Sequence, residues 1–127
     1  MLLVVQTNGT SHADESDIEY YAVIVGVGNY PGRINDLTYP VDDAKGIYNR
    51  IRYIWGEDHI KLLCDSQATK ESIEEALSSW LGERADVNDV VLFCYSGHGA
   101  PDHLIPYYSL QWPYPILSTT CNLVFSG

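Results

Sequence analysis

The sequence is poor in cysteine and in basic residues, and these shortages exclude several classes of protein. Three cysteines occur among 127 residues, none in a Cys-x-x-Cys pair, so we expect neither a disulfide framework nor a zinc site. Seven Lys and Arg against 17 Asp and Glu give a formal net charge of −10. Because phosphate contacts require Lys and Arg, we expect no nucleic-acid partner.

Long hydrophobic runs are missing as well. Met1–Val5 is apolar, but it is too short for a membrane span or a signal-peptide core and has no basic flank. We therefore expect no membrane partner, and the lack of a signal peptide favours a cytoplasmic location. A hydrophobic content of 46% with 19% charged residues is typical of a globular protein, and the length suits one domain.

Strand and helix patterns alternate along the chain. Apolar runs predict strands over residues 20–27, 60–64 and 90–94, and helices over 41–54 and 70–81 separate them. The continuous apolar character of the first run indicates a central strand covered on both faces. Strands joined through helices by short links predict an α/β fold with a parallel sheet.

Each predicted helix has a recognisable start and one apolar face. Pro40, Asp42 and Asp43 suit the first turn of the first helix, and Thr69 suits the N-cap of the second. We expect the residues at three- and four-residue steps to be buried, namely Ala44, Ile47, Tyr48, Ile51 and Ile54, and Ile73, Ala76, Leu77, Trp80 and Leu81. A sheet of three or four strands has an open edge, which predicts an incomplete domain or a partner chain that completes the sheet.

The stretch Tyr95–Gly99 (Tyr-Ser-Gly-His-Gly) directly follows the third strand. Its histidine, His98, lies between two glycines at the carboxyl end of a buried strand, where an imidazole can transfer protons near neutral pH. An ordinary surface turn is the alternative interpretation, because Ser and Gly are common turn residues. The histidine and its neighbours Asp102 and His103 fit no common metal-ligand spacing, so we expect no metal site.

A second glycine pattern, Gly26-Val27-Gly28, follows the first strand and favours a small nucleotide-binding domain. The next helix begins some ten residues later, so no helix amino-terminus is in place to hold a pyrophosphate. Nucleotide binding is therefore only the third alternative.

Several segments, taken in order, resemble the large-subunit half of caspase-like cysteine peptidases, in particular metacaspases and prokaryotic caspase-domain proteins. They are the strand Ala22–Gly26, the loop Asn29–Gly32, the helix start Leu37–Ala44, the strand Leu62–Leu63 with Ala68–Lys70, and Tyr95–Gly99. The resemblance covers about residues 20–108. It implies a three-layer caspase-like fold, a mostly parallel sheet flanked by helices, which is incomplete here. We expect a flexible lead-in at 1–18, the caspase-like domain at 19–108, and at 109–127 an irregular tail, a truncated or divergent end of the same domain.

The resemblance also implies hydrolysis of a peptide bond after Arg or Lys in a peptide or protein substrate. By this likeness His98 is the acid/base group, Gly99 is an oxyanion donor, and Asp43 is the carboxylate that recognises the basic side chain. A simpler interpretation of Asp43 is an acidic residue that complements the helix dipole. No cofactor is expected, except calcium, which the resemblance alone implies.

One element of the family pattern is missing from this sequence. The family's nucleophile follows a further strand, in a setting of the type Asp-x-Cys-x-Ser-Gly, and nothing here reproduces it. Cys121 is a weak nucleophile candidate, because it precedes an apolar run and has no aspartate two residues before it, and Cys94 lies inside the third strand. We therefore expect a truncated cysteine endopeptidase domain, and the sequence leaves open whether this chain is active or inactive. The alternative is a non-catalytic caspase-like module that binds or regulates another protein.

Overall fold

The computed structural model describes residues 18–29, 37–100, 103–104 and 116–125, and for 98–100, 103–104 and 116–125 it describes the backbone. The sheet contains the strands β1 (Tyr20–Gly26), β2 (Ile60–Cys64), β3 (Val90–Ala100), β4 (His103–Leu104) and β5 (Ile116–Phe125). The helices are α1 (Pro40–Trp55) and α2 (Lys70–Glu75), and α2 continues through a π-helical turn at Ala76–Trp80. The boundaries predicted for β2 and the start of α2 are confirmed.

Strand β1 lies at the centre of the parallel part of the sheet. It pairs in parallel with β2 on one side and with β3 on the other, so that Ile24 lies opposite both Leu62 and Cys94. Ala22 to Val25 have no exposed surface, because helices cover both faces of the sheet. The continuous apolar run therefore marks a central strand, as predicted.

Two hydrophobic cores, one on each face of the sheet, make three layers. The core under α2 includes Tyr21, Val23, Val25, Leu63, Ala76, Leu81 and Tyr95. The core under α1 includes Ala22, Ile24, Ala44, Ile60, Leu92 and Cys94. Alternate residues of β1 serve the two cores, as the two-residue period of a strand requires. The predicted α/β fold class is confirmed.

The helices keep their predicted starts but not every predicted buried residue. Thr69 Oγ1 accepts a hydrogen bond from Ser72 N at 3.1 Å and caps α2, as predicted. Ile54, by contrast, is 81% exposed, because Trp55 instead packs at the end of α1 against Tyr20, with ring centroids 5.4 Å apart. Leu77 is also exposed, because it lies in the π-helical turn, which changes the helical phase. Within the described residues, no helix is both long and apolar enough to cross a membrane.

Strands β3 and β5 differ from the expectations for the carboxyl-terminal half. Strand β3 runs to Ala100, so the Tyr95–Gly99 motif is extended strand and not a turn. Residues 116–125, expected to belong to an irregular tail, form β5 and pair antiparallel with β3 from Val90 to Gly99. The physical reason is that this segment is rich in β-branched and apolar residues, which favour a strand beside an otherwise open edge.

The expectation that the cysteines form no disulfide is wrong for Cys94. Its side chain is buried and disulfide-bonded, whereas Cys64 is free. The backbone register of β3 and β5 places Cys94 opposite Cys121. Sequence spacing cannot reveal such a pair, because the register is set only when the two strands align.

Candidate functional site

The carboxyl ends of β1 and β3 meet at one end of the sheet, where the predicted site residues lie. Val27 N donates to Ser96 O at 2.9 Å, next to the last pair of the β1–β3 ladder. Beyond that point Gly99 pairs with β4 on one side and with β5 on the other. The backbone of His98 is therefore strand, and its side chain lies outside the described residues.

Helix α1 brings Asp43 to this end of the sheet. Ser96 Oγ donates to Asp43 Oδ2 over 3.4 Å, a long hydrogen bond between residues 53 positions apart. Ser96 is only 3% exposed, whereas Asp43 is exposed. The structure thus joins Asp43 to the strand that carries His98, two residues beyond Ser96. Ser96 was not singled out from the sequence, although it lies within the Tyr95–Gly99 motif.

The position of Asp43 depends on a close approach between α1 and β1. A Cβ atom built at Gly26 would lie 2.6 Å from Pro40 O and 2.7 Å from Ala44 Cβ, distances that real Cβ atoms do not adopt. Both Pro40 and Ala44 are buried. Glycine at position 26 therefore lets the first turns of α1, which carry Asp43, rest directly on β1.

The loop that follows β1 is held by a carboxylate that the sequence analysis missed. Asp65 Oδ1 accepts from Gly28 N at 2.9 Å and from Asn29 N at 3.0 Å. Asp65 itself adopts a positive φ of 49°, which Asp tolerates better than most residues. The sequence contained one signal that could have identified Asp65, namely its position directly after the predicted strand β2. These two backbone amides donate to a carboxylate, so the Gly26-Val27-Gly28 pattern does not offer them to a nucleotide phosphate.

The two cysteines with described side chains are poorly suited to nucleophilic attack. Burial raises the pKa of the Cys64 thiol, the Asp65 carboxylate raises it further, and the Lys45 ammonium opposes the shift. Cys64 is therefore a neutral thiol near pH 7, while the attacking species must be a thiolate. Cys94 is disulfide-bonded. Cys121 has its backbone in β5, and its side chain lies outside the described residues.

In the part of the chain with described side chains, no three His, Cys, Asp or Glu residues are grouped closely enough to hold a metal ion. The side chains of His98, Asp102 and His103 lie outside that part. A response to calcium stays a prediction.

Comparison with known proteins agrees with the resemblance. The family model described as the caspase domain matches residues 19–118. Metacaspase-4 of Arabidopsis thaliana is 39% identical over 85 residues, and metacaspase-1 of Candida albicans (strain SC5314 / ATCC MYA-2876) is 33% identical over 85 residues. Each match covers 61% of this chain but only 20% and 18% of the respective relative. The chain thus spans about a fifth of the length of these relatives. Because the family model covers well over half of the residues, the chain belongs to the caspase-domain family of cysteine-type peptidases.

Proposed function

We propose that this chain carries the histidine-bearing half of a cysteine endopeptidase site that cleaves after Arg or Lys. The observation that carries the proposal is the contact between Asp43 and Ser96 at the carboxyl ends of β1 and β3. It unites a carboxylate suited to a basic side chain with the strand that holds His98. An aspartate that only complemented the helix dipole would have no need of a partner on β3.

His98 is proposed as the proton-transfer group. His98 is two residues beyond Ser96 in β3, the strand that Asp43 contacts. In the proposed reaction the imidazolium gives its proton to the leaving amine nitrogen as the carbon–nitrogen bond of the substrate breaks. Gly99 is proposed to offer its backbone N–H to the oxyanion, which requires that this N–H leave its pairing in the sheet.

Asp43 is proposed to select the residue that precedes the cleaved bond. Its carboxylate can accept two parallel hydrogen bonds from a guanidinium, or one charge-assisted bond from an ammonium. The formal net charge of −10 favours the approach of a basic peptide over an acidic one. Asp42 lies in the same first turn and is also exposed, but has no described contact with β3.

The nucleophile is the open part of this proposal. A thiolate sulfur must bond to the substrate carbonyl carbon, and water must later hydrolyse the resulting thioester. Neither Cys64 nor Cys94 suits that role, for the reasons given above. Cleavage by the chain alone therefore depends on Cys121, and otherwise on a thiol that another polypeptide supplies.

The test uses the purified chain and fluorogenic peptides that end in Arg, Lys or Asp before the reporter group. After a reducing agent has opened the disulfide of Cys94, we expect thiol-dependent cleavage of the Arg and Lys peptides, and we expect His98→Ala and Cys121→Ser to abolish it. Asp43→Asn should reduce kcat/KM for the Arg peptide by about 100-fold, which corresponds to about 2.7 kcal/mol. The matched variant Asp42→Asn removes the same charge from the same helix turn and should change it less than threefold. Equal losses in the two aspartate variants would refute the specificity role of Asp43.

A second candidate function is a non-catalytic caspase-like module that binds or regulates another protein. The disulfide of Cys94 and the raised pKa of Cys64 favour it, because they leave no reactive thiolate among the cysteines with described side chains. A chain that cleaves none of the reporter peptides and resists labelling by an alkylating peptide inhibitor would support this function over the first.

A further inference from the structure

Strand β2 has one edge that pairs with no other described strand. Because Val27 N donates to Ser96 O, the odd-numbered residues of β1 direct their backbone groups toward β3 and the even-numbered ones toward β2. Ile24 therefore bonds toward β2, and Leu62, its partner in the parallel register, directs its own N–H and C=O away from β1. These two groups of Leu62 point to the open edge.

Among the residues that the structure describes, partners close this edge at both ends but not in its middle. Ile60 N donates to Glu57 O in the turn that precedes β2. Cys64 N donates to Gln67 Oε1 at 3.4 Å in the turn that follows it. The outward N–H at each end of β2 thus has a partner from its own chain. Leu62 remains as the centre of a short site for one added strand.

A cavity of about 560 Å³ lies between this edge and the second helix. Its lining includes Lys61 and Leu63 from β2, and Glu75, Ala76 and Trp80 from α2 and its π-helical turn. Leu63 and Ala76 are buried and Trp80 is half-buried, and these three give an apolar part to a lining that also contains the polar Gln67 and Ser72. The π-helical turn contributes two of these residues, and such turns are frequent at binding sites. A strand added at Leu62 would set alternate side chains over this cavity.

The charge around the cavity favours a basic occupant. Glu75 lines it, and Glu71 is exposed on the same helix. Lys61 is the cation that lines the cavity. Lys70, at the start of the same helix, does not line it and is paired with Glu74 at 3.9 Å. A second copy of the chain would bring another formal charge of −10, so self-association meets repulsion. A peptide with Lys or Arg meets complementary charge.

We propose that an extended peptide segment carrying Lys or Arg adds to the sheet along β2. Its backbone pairs with the N–H and C=O of Leu62, one basic side chain pairs with Glu75, and an apolar side chain rests on Trp80. This site lies at the opposite edge of the parallel strands from β3 and does not depend on peptidase activity.

The test measures binding of a fluorescein-labelled peptide, Thr-Arg-Thr-Val-Thr-Lys-Thr, to the full chain by fluorescence anisotropy; its Arg, Val and Lys alternate with Thr and so share one face of an extended strand. Mass spectrometry confirms that the peptide stays intact, so failure of this site is distinct from cleavage. Two N-methylated analogues each block the N–H groups along one edge of the peptide. We expect one analogue to lose at least about tenfold in affinity and the other to bind like the parent peptide.

Charge is tested separately. Glu75→Gln should weaken binding by about threefold at low salt, and added salt should remove this difference. Glu83→Gln is the matched control, because Glu83 is exposed near the end of the same helical segment but does not line the cavity. An analogue with Glu in place of Arg and Lys should bind at least about tenfold more weakly than the parent.

Four results would overturn the proposal. They are equal binding of the acidic and basic peptides, equal binding of the two N-methylated analogues, binding only after residues 1–17 are deleted, and loss of peptide binding through dimerisation of the chain at higher concentration. The third would make the chain's own amino-terminal segment the occupant, and the fourth a second copy.

Discussion

Replacing Gly26 by alanine tests whether the contact between β1 and α1 positions the candidate site. The new Cβ would lie 2.6 Å from Pro40 O and 2.7 Å from Ala44 Cβ. Carbon atoms in contact prefer about 3.5–4.0 Å, so α1 would have to retreat by roughly 1 Å. Pro40 O is a backbone atom and Ala44 Cβ is the whole of a one-carbon side chain, so neither atom can rotate away.

The size of the effect follows from this geometry. Overpacking of this kind costs about 2–3 kcal/mol of the free energy of unfolding. Gly46 provides the matched control, because it lies in the same helix and a Cβ there meets nothing within 4 Å. Gly46→Ala should raise the free energy of unfolding by about 0.5–1 kcal/mol, since alanine restricts the unfolded chain and favours the helix.

Urea unfolding of the full chain, followed by tryptophan fluorescence and circular dichroism, measures both variants. The double variant Gly26→Ala/Ala44→Gly removes one of the two clashing atoms, so it should be more stable than the sum of the single effects predicts. This prediction is refuted if the free energy of unfolding of Gly26→Ala differs from that of the parent by less than about 0.5 kcal/mol, or if Gly26→Ala and Gly46→Ala change it equally. In either case the close approach is not what holds α1 on β1.

Four further predictions concern single side chains. Asp65→Ala should lower the free energy of unfolding by about 1–3 kcal/mol in urea melts, because it leaves the amide of the buried Gly28 without an acceptor while the exposed Asn29 amide turns to water, whereas Asp65→Asn, which keeps an acceptor oxygen, should lose about half as much. Asp89→Ala should cost about 3 kcal/mol by the same assay, since the buried carboxylate accepts from Glu19 N at 3.0 Å and from Asp86 N at 2.7 Å, and a cost below 1 kcal/mol would contradict this. Burial raises the pKa of Tyr21 and the Asp89 carboxylate raises it further, so the contribution of Tyr21 to stability, measured against Tyr21→Phe, should be constant below about pH 10 and be lost as the pH rises through the raised pKa; a tyrosinate absorbance difference between the parent and Tyr21→Phe that titrates like a free tyrosine would exclude the shift. Under denaturing, non-reducing conditions a thiol reagent should find one free thiol, that of Cys64, and three after reduction; three before reduction would show that Cys94 is not in a disulfide.

Local signals in the sequence were sufficient for β1, β2 and the starts of the two helices, but not for β5 or for the contacts between distant elements. The run from Tyr20 to Gly26 identifies a central strand, because only a strand covered on both faces lacks polar alternation. Thr69 identifies a helix start by its hydroxyl. Tyr95–Gly99 resembled a turn because Ser and Gly have low strand propensity, and pairing with β5 overrides that propensity.

The contacts of the site depend on docking between distant segments. Asp43 and Ser96 come together only once α1 rests on β1 and β3, and no local pattern encodes a partner 53 residues away. The same holds for Asp65 and the amides of Gly28 and Asn29. Resemblance to the family singled out Asp43, whose role in substrate binding stays a prediction, but it carried no information on Asp65.

The central position of β1 has a consequence for biosynthesis. Glu19 and Asp89, which hold the starts of β1 and β3 together, are 70 residues apart. The apolar β1 segment leaves the ribosome before β3, one of its two partner strands, has been synthesised. Such a segment is prone to aggregate, and the closure of so long a loop slows folding. The nascent chain is therefore expected to need a chaperone until β3 has emerged, and translation with a purified chaperone should raise the soluble yield.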